Sequence, residues 1–237
     1  MARMTLQLPR FSSVSAMLAV ALVVVSVVTQ IAGLTGVMVL VPSLVVGKFF
    51  LWQLVTYALV ETSPMGIIFG ALILWSIGGA LEGVWSRNRF LRFCLGIVVA
   101  AALATVGLAL VVPSLVAGGY AGGTVLTGAL WVGYGLYMGR GQTNFWGIPV
   151  TGNVFALIGA GFVFLNAAFS GLSSVIPNAF ALLFTFLFMR TNLKLPTNPW
   201  TRFRSWQLER DLKKRSAHLK SIDGGRNVGR GSDKYLQ

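Results

Sequence analysis

The sequence predicts an all-α membrane protein, a bundle of six transmembrane helices with a half-inserted first loop and a basic tail helix. Three observations predict it. Hydrophobic residues make up 55% of the 237 and charged ones only 11%, a balance that the water-facing surface of a soluble domain of this size does not carry. Apolar runs of about the 20 residues that a helix needs to cross the hydrocarbon layer recur along the chain. The net charge of +13 is gathered between those runs, which argues for membrane flanks and against a nucleic-acid-binding surface.

The first span is residues 14–34, preceded by Arg3 and Arg10. A signal peptide also opens on basic residues, but its apolar core is about 7 to 15 residues long, so this longer run is read as retained. Residues 35–63 are apolar yet interrupted by Pro42, Gly47 and Lys48. As a span they would set Lys48 near the bilayer centre, at a cost of about 2.5 to 3.5 kcal/mol; an interfacial or half-inserted loop avoids that. The other five spans are residues 65–81, 93–112, 118–138, 148–169 and 172–189, with Pro113, Pro149 and Pro177 at or near their ends.

Residues 118–138 are read as the central helix. Small residues recur at Gly118 and Gly122, at Gly119 and Gly123, and at Thr124 and Gly128, spacings that set them on adjoining faces of a helix and let neighbouring backbones come close. Each glycine costs a helix up to about 1 kcal/mol relative to alanine, so close packing on several neighbours is the reason to expect so many.

Charge tests the count. With six spans and the N-terminus inside, the inner side receives Arg3, Arg10, Arg87, Arg89, Arg92, Arg140 and all twelve Lys or Arg from Arg190 onward, leaving Lys48 alone outside. Both termini are therefore expected in the cytoplasm, of a bacterial inner membrane or a eukaryotic secretory membrane. Residues 1–190 form the membrane domain and 191–237 a cytoplasmic tail. In that tail Asn198-Pro199 is a helix start, and aromatic and basic residues over 200–220 suit a helix lying on the membrane surface. Residues 200–237 could also take a cytoplasmic partner.

Chemistry is scarce in the spans. Glu82 is expected to pair with Arg87 or Arg89, or to cap the following helix, and Glu61 to be an exposed loop residue. The single histidine, His218, lies in the tail, and aspartate occurs only there. No intramembrane Ser-His dyad, aspartate pair or histidine-based zinc site can form, and the lone Cys94 excludes a disulfide framework. No cofactor and no metal are implied.

Trp52-Gln-Leu-Val-Thr-Tyr, the segment Trp75-Ser-Ile-Gly-Gly-Ala-Leu-Glu82 with its Gly78, and Arg89-Phe-Leu after it together resemble the rhomboid superfamily. That resemblance covers residues 14–190 and implies a rhomboid-like six-helix core. It also implies that the fourth span should carry Gly-x-Ser-Gly with a nucleophilic serine, and the sixth a histidine base. Here Thr124 falls at the serine position, or Tyr120 in an offset alignment, and Asn178 near the histidine. Gly66 and Gly70 fall where the second span's oxyanion-binding His and Asn are expected. Nucleophile and base act as a unit, so the chain resembles a rhomboid pseudoprotease. Gly119-Tyr-Ala-Gly-Gly and Asn144-Phe-Trp-Gly-Ile-Pro149 are similar to derlins and their Golgi transmembrane relatives. The resemblance implies a multi-pass protein that binds membrane lipids and transmembrane segments of client proteins, in quality control, trafficking or assembly. The alternatives are an active or diverged rhomboid intramembrane serine-type endopeptidase and a transporter or lipid-handling protein.

Overall fold

The structure, a computed structural model, describes residues 13–145, 148–170 and 175–190, the side chains at 144–145 and 166–170 excepted. The tail helix expected over 200–220 lies outside them, as do Arg3, Arg10 and residues 191–237 as a whole.

Helix α1, Val14–Ile31, opens on Ser13, whose hydroxyl accepts from the Ala16 N–H at 3.2 Å. Its other leading donors are met from far along the chain. The Glu82 carboxylate takes the N–H of Val14 at 3.0 Å and of Ser15 at 2.8 Å. Glu82 therefore caps the first helix, not the one that follows it, and a carboxylate there also meets the positive end of the helix dipole. Replacing Glu82 by alanine is expected to destabilise the protein by about 1 to 2 kcal/mol, read as a lower melting temperature in detergent, with Glu82→Gln losing less.

Residues 35–63 form short pieces, α2 Thr35–Met38, α3 Pro42–Lys48, α4 Gln53–Thr56 and a tight turn Tyr57–Leu59. None is long enough to cross a membrane. Lys48 is exposed, as are the apolar Val46, Phe49 and Leu51 beside it. Buried Gln53 holds these pieces together. Its Oε1 accepts from Val41 N–H at 3.0 Å and its Nε2 donates to the carbonyls of Val37 at 3.1 Å and Gly36 at 3.4 Å. Trp52 Nε1 adds a bond to the Val37 carbonyl at 3.2 Å.

The next helix runs unbroken from Pro64 to Val84, as α5 Pro64–Ile73, a wider π turn at Leu74–Gly78 and α6 Gly79–Val84. The π turn packs on both α1 and the helix Gly123–Met138, and Gly78 permits it: a Cβ there would come within 3.3 Å of Ser15. Helix α7, Arg87–Val111, buries Phe90, Phe93, Ala101 and Ala102. These three helices are long and apolar enough to span a membrane; Gly152–Leu165 and Ile176–Arg190 are shorter apolar helices.

Helix α8 runs Gly123–Met138 and packs on α9 (Gly152–Ser170), α10 (Ile176–Arg190), α5 and α7. It begins five residues later than expected: Gly118 and Gly119 precede the helix. Between α8 and α9 a short hairpin stands where a helix start was expected. Residues Gln142–Phe145 (β1) pair antiparallel with Ile148–Thr151 (β2), so α9 starts at Gly152, not at 148. Pro149 within a β-branched run, Ile-Pro-Val-Thr, disfavours helix at the residue before it and favours extended backbone. Gly139, at φ 55, turns the chain out of α8.

Candidate functional site

Of the positions singled out in the sequence, Thr124 lies in the first turn of α8, and Gly66 and Gly70 lie on α5, which packs on α8. The chain reaches the start of α8 extended. Leu40 and Tyr120 exchange backbone hydrogen bonds at 3.0 and 2.9 Å, and then the N–H of Gly122 donates to the Tyr57 carbonyl at 2.9 Å and that of Gly123 to the Val60 carbonyl at 3.0 Å. Two donors that a helix N-terminus normally leaves open are thus consumed by the loop. Glycine is required for that approach, because a Cβ on Gly122 would overlap the Tyr57 ring. The ring is buried and its hydroxyl donates to the Val98 carbonyl of α7 at 2.9 Å, fixing the turn from behind.

Glu61 fills the space beside this contact. It is 9% exposed, a correction to its expected place on an open loop. A Cβ on Gly66 would come 2.5 Å from its Cδ, and one on Gly123 would come 2.8 Å from its Oε2. Missing side chains on α5 and α8 therefore make its niche. Oε1 accepts from Thr62 N–H at 3.1 Å, Ser63 N–H at 3.4 Å and Ser63 Oγ at 3.5 Å. Its own N–H donates to Ser26 Oγ of α1 at 2.9 Å, and that hydroxyl donates to the Leu59 carbonyl at 3.0 Å.

Glu61 stands in the connector ahead of α5. Burial pushes its carboxyl above the usual 4.5, against the opposing pull of the Ser63 and Thr62 hydrogen bonds. A raised native value means that the folded protein holds the proton more tightly than the unfolded chain does. Its contribution to stability is therefore full below about 4.5 and is lost as pH rises through the raised value. Melting temperatures measured from acid to neutral pH are expected to show Glu61→Gln gaining on the parent as pH rises; a difference independent of pH would contradict this.

The other positions singled out in the sequence lie on three helices. Gly66 borders Glu61. Gly70 faces Leu22 of α1 and Thr127 of α8 across 3.5 Å. Thr124 is half-buried in the first turn of α8, on the stripe that continues through Thr127, Gly128 and Trp131. Thr127 Oγ1 is bonded to the Gly123 carbonyl at 3.1 Å, and Ser63 Oγ accepts from Gly66 N–H as the cap of α5 at 2.9 Å. Asn178 is buried on α10. No imidazole stands near either threonine among the described residues.

Of the glycines read as helix-packing, Gly118 meets only its own loop, and Gly119 only Val39 at ordinary distance. Gly122 and Gly123 receive the loop and Glu61. Gly128 meets Val163 of α9 at 3.0 Å. A tighter helix–helix approach lies further along α8, at positions outside that set: a Cβ on Gly135 would come 2.5 Å from Ala156 N, and Gly152 and Gly159 accept Met138 and Trp131 in the same way. The i, i+7 pair Gly128 and Gly135, facing Gly152, Ala156 and Gly159, was visible as small-residue spacing.

Apolar helices packed around a glycine-lined centre, with the polar site sealed by backbone contacts, define an integral membrane protein. The profile of the family described as Eukaryotic integral membrane protein (DUF1751) matches residues 13–190. The chain belongs to that family. Comparison with curated proteins finds no match.

Proposed function

We propose that this is a rhomboid-like, catalytically inactive protein of six transmembrane helices that binds transmembrane segments of client proteins in quality control, trafficking or assembly. The observation that carries the reading is the closed N-terminus of α8. Tyr57 and Val60 carbonyls take the Gly122 and Gly123 donors, and Glu61 occupies the niche between Gly123 and Gly66, the latter being where the resemblance puts an oxyanion-binding residue. A scaffold that retains the architecture without the chemistry keeps the capacity to receive a helix.

The lateral geometry supports this. Gly70 of α5 meets Thr127, and Val163 of α9 meets Gly128, so both helices lie against one stripe of α8 headed by Thr124, while packing little on each other. An apolar helix entering that seam would associate by close packing rather than by hydrophobic exclusion from water. Arg87, Arg89, Arg92, Arg140 and Arg190 gather at the other end of the bundle, which supports a cytoplasmic location for that end and for both termini. The family's description favours a eukaryotic secretory membrane over a bacterial one.

The test is site-specific photocrosslinking in native membranes from exposed Phe69 of α5 and Leu157 of α9, with exposed Leu103 and Leu110 of α7 as controls. Membrane-protein adducts several-fold more abundant from α5 and α9 are expected. Equal adducts from α7, or none from any position, would overturn the reading. A fluorophosphonate probe captured by the parent chain and not by Thr124→Ala would establish the protease alternative instead.

A further inference from the structure

The end of the bundle away from the Glu61 niche holds a partly open cavity of about 310 Å³ between the α6–α7 junction, the end of α8 and the end of α10. That volume lies at the lower edge of small-molecule sites, about 300 to 1,000 Å³. Its walls are of two kinds. Leu136, Phe188 and Met189 give an apolar side, and Trp85, Arg89 and Tyr137 give a side that can donate hydrogen bonds.

Among the described residues these donors are unspent. The Arg89 guanidinium lies 4.9 Å over the Trp85 ring, a stacking that leaves its N–H edges free. The indole N–H of Trp85, itself 5% exposed, has no acceptor among the described residues. The Tyr137 ring is held edge-on to Trp85 at 6.2 Å. Negative charge is missing as well. The described residues contain two acids, Glu61 at the far end of the bundle and Glu82, whose two oxygens are both taken by the start of α1. Five arginines at this end thus face no free carboxylate among the described residues.

We infer that this cavity binds the phosphate of an anionic phospholipid from the adjoining leaflet. Arg89 presents a fixed fork to the phosphate oxygens, suited to two parallel charge-assisted bonds, and Tyr137 adds a hydroxyl donor at the rim. The glycerol and first methylenes lie along Leu136, Phe188 and Met189. A zwitterionic lipid brings its own cation to a region already crowded with arginine, so phosphatidic acid is preferred to phosphatidylcholine. The inference does not depend on the proposed function, since it concerns the opposite end of the molecule.

The experiment uses the full chain in detergent with equal amounts of phosphatidic acid and phosphatidylcholine, read by native mass spectrometry. The parent is expected to retain phosphatidic acid at least several-fold over phosphatidylcholine. Arg89→Gln should lose that preference, and Arg92→Gln, which removes a neighbouring charge outside the cavity, should keep it. Leu136→Trp keeps every charge but fills the cavity, and should also lose it, which tests the site even if Arg89→Gln does not fold. Equal retention of the two lipids by the parent would overturn the inference. So would equal losses in Arg89→Gln and Arg92→Gln, or a Leu136→Trp chain that binds as the parent does. Displacement of phosphatidic acid by millimolar inorganic phosphate would show free phosphate to be the ligand and would equally overturn it.

Discussion

Gly135→Val is expected to prevent the membrane domain from assembling. A Cβ at this position would lie 2.5 Å from the Ala156 nitrogen and 2.7 Å from the Gly152 carbonyl oxygen, so the side chain meets backbone, which has no rotamer to change. The helices can relieve the overlap only by separating, and separation also pulls Gly128 from Val163 and Trp131 from Gly159. Overpacking a core commonly costs about 1 to 3 kcal/mol, and a clash between two helix backbones belongs above that range. The loss matters more in a bilayer than in water, because lipid replaces apolar contacts at no penalty and association rests on close packing. Yield of folded protein and melting temperature in detergent measure the effect. Gly107→Ala is the control: nothing lies within 4 Å of a Cβ on Gly107 of α7, so it should leave the protein unchanged or stabilise it by up to about 1 kcal/mol. Equal melting temperatures for Gly135→Val and the parent would show that α8 and α9 do not approach as described.

How much of this was legible in the sequence depends on how far apart the partners lie. The three long apolar helices and the connector after the first could be read from hydropathy, since the membrane imposes a length and a polarity on each segment by itself. The start of α8 could not. The segment Gly-Gly-Tyr-Ala-Gly-Gly is as apolar as the helix that follows, and it stays extended because Leu40, Tyr57 and Val60, more than sixty residues earlier, supply its hydrogen bonds. The same distance hid the role of Glu82, whose partners Val14 and Ser15 lie 68 and 67 residues away, and that of Glu61. Beside Thr-Ser-Pro, Glu61 looks like a turn residue in water; only the absence of side chains at Gly66 and Gly123 makes room to bury it. The hairpin at 142–151 was the reverse case, with a local signal, Pro149 among β-branched residues, that a run of hydropathy outweighed.

Gln53→Leu is expected to release the segment that closes the site. Gln53 is fully buried, and its amide serves three backbone groups at once: it accepts from Val41 N–H and donates to the carbonyls of Gly36 and Val37. Leucine fills nearly the same space and serves none of them. A buried polar group left without a partner costs about 1 to 3 kcal/mol, so a total loss of several kcal/mol is expected from one substitution without any cavity. Its consequence is local before it is global. The strand of chain that Gln53 orders runs directly into Leu40, which pairs with Tyr120, and Thr56 and Tyr57 follow on the same short helix and turn, with Thr56 Oγ1 bonded to the Met38 carbonyl at 2.9 Å. Loosening residues 36–41 therefore loosens the Tyr57 and Val60 carbonyls from Gly122 and Gly123. Hydrogen exchange in detergent should show faster exchange at Leu40, Gly122 and Gly123 in Gln53→Leu, while the amides of α7 and α10 exchange as in the parent. Gln53→Glu separates the two halves of the effect: it keeps an acceptor for Val41 N–H but turns a charged oxygen toward two carbonyls, and should be at least as damaging at neutral pH. Protection at Gly122 and Gly123 that is unchanged in both variants would mean that the loop closes over α8 without help from Gln53.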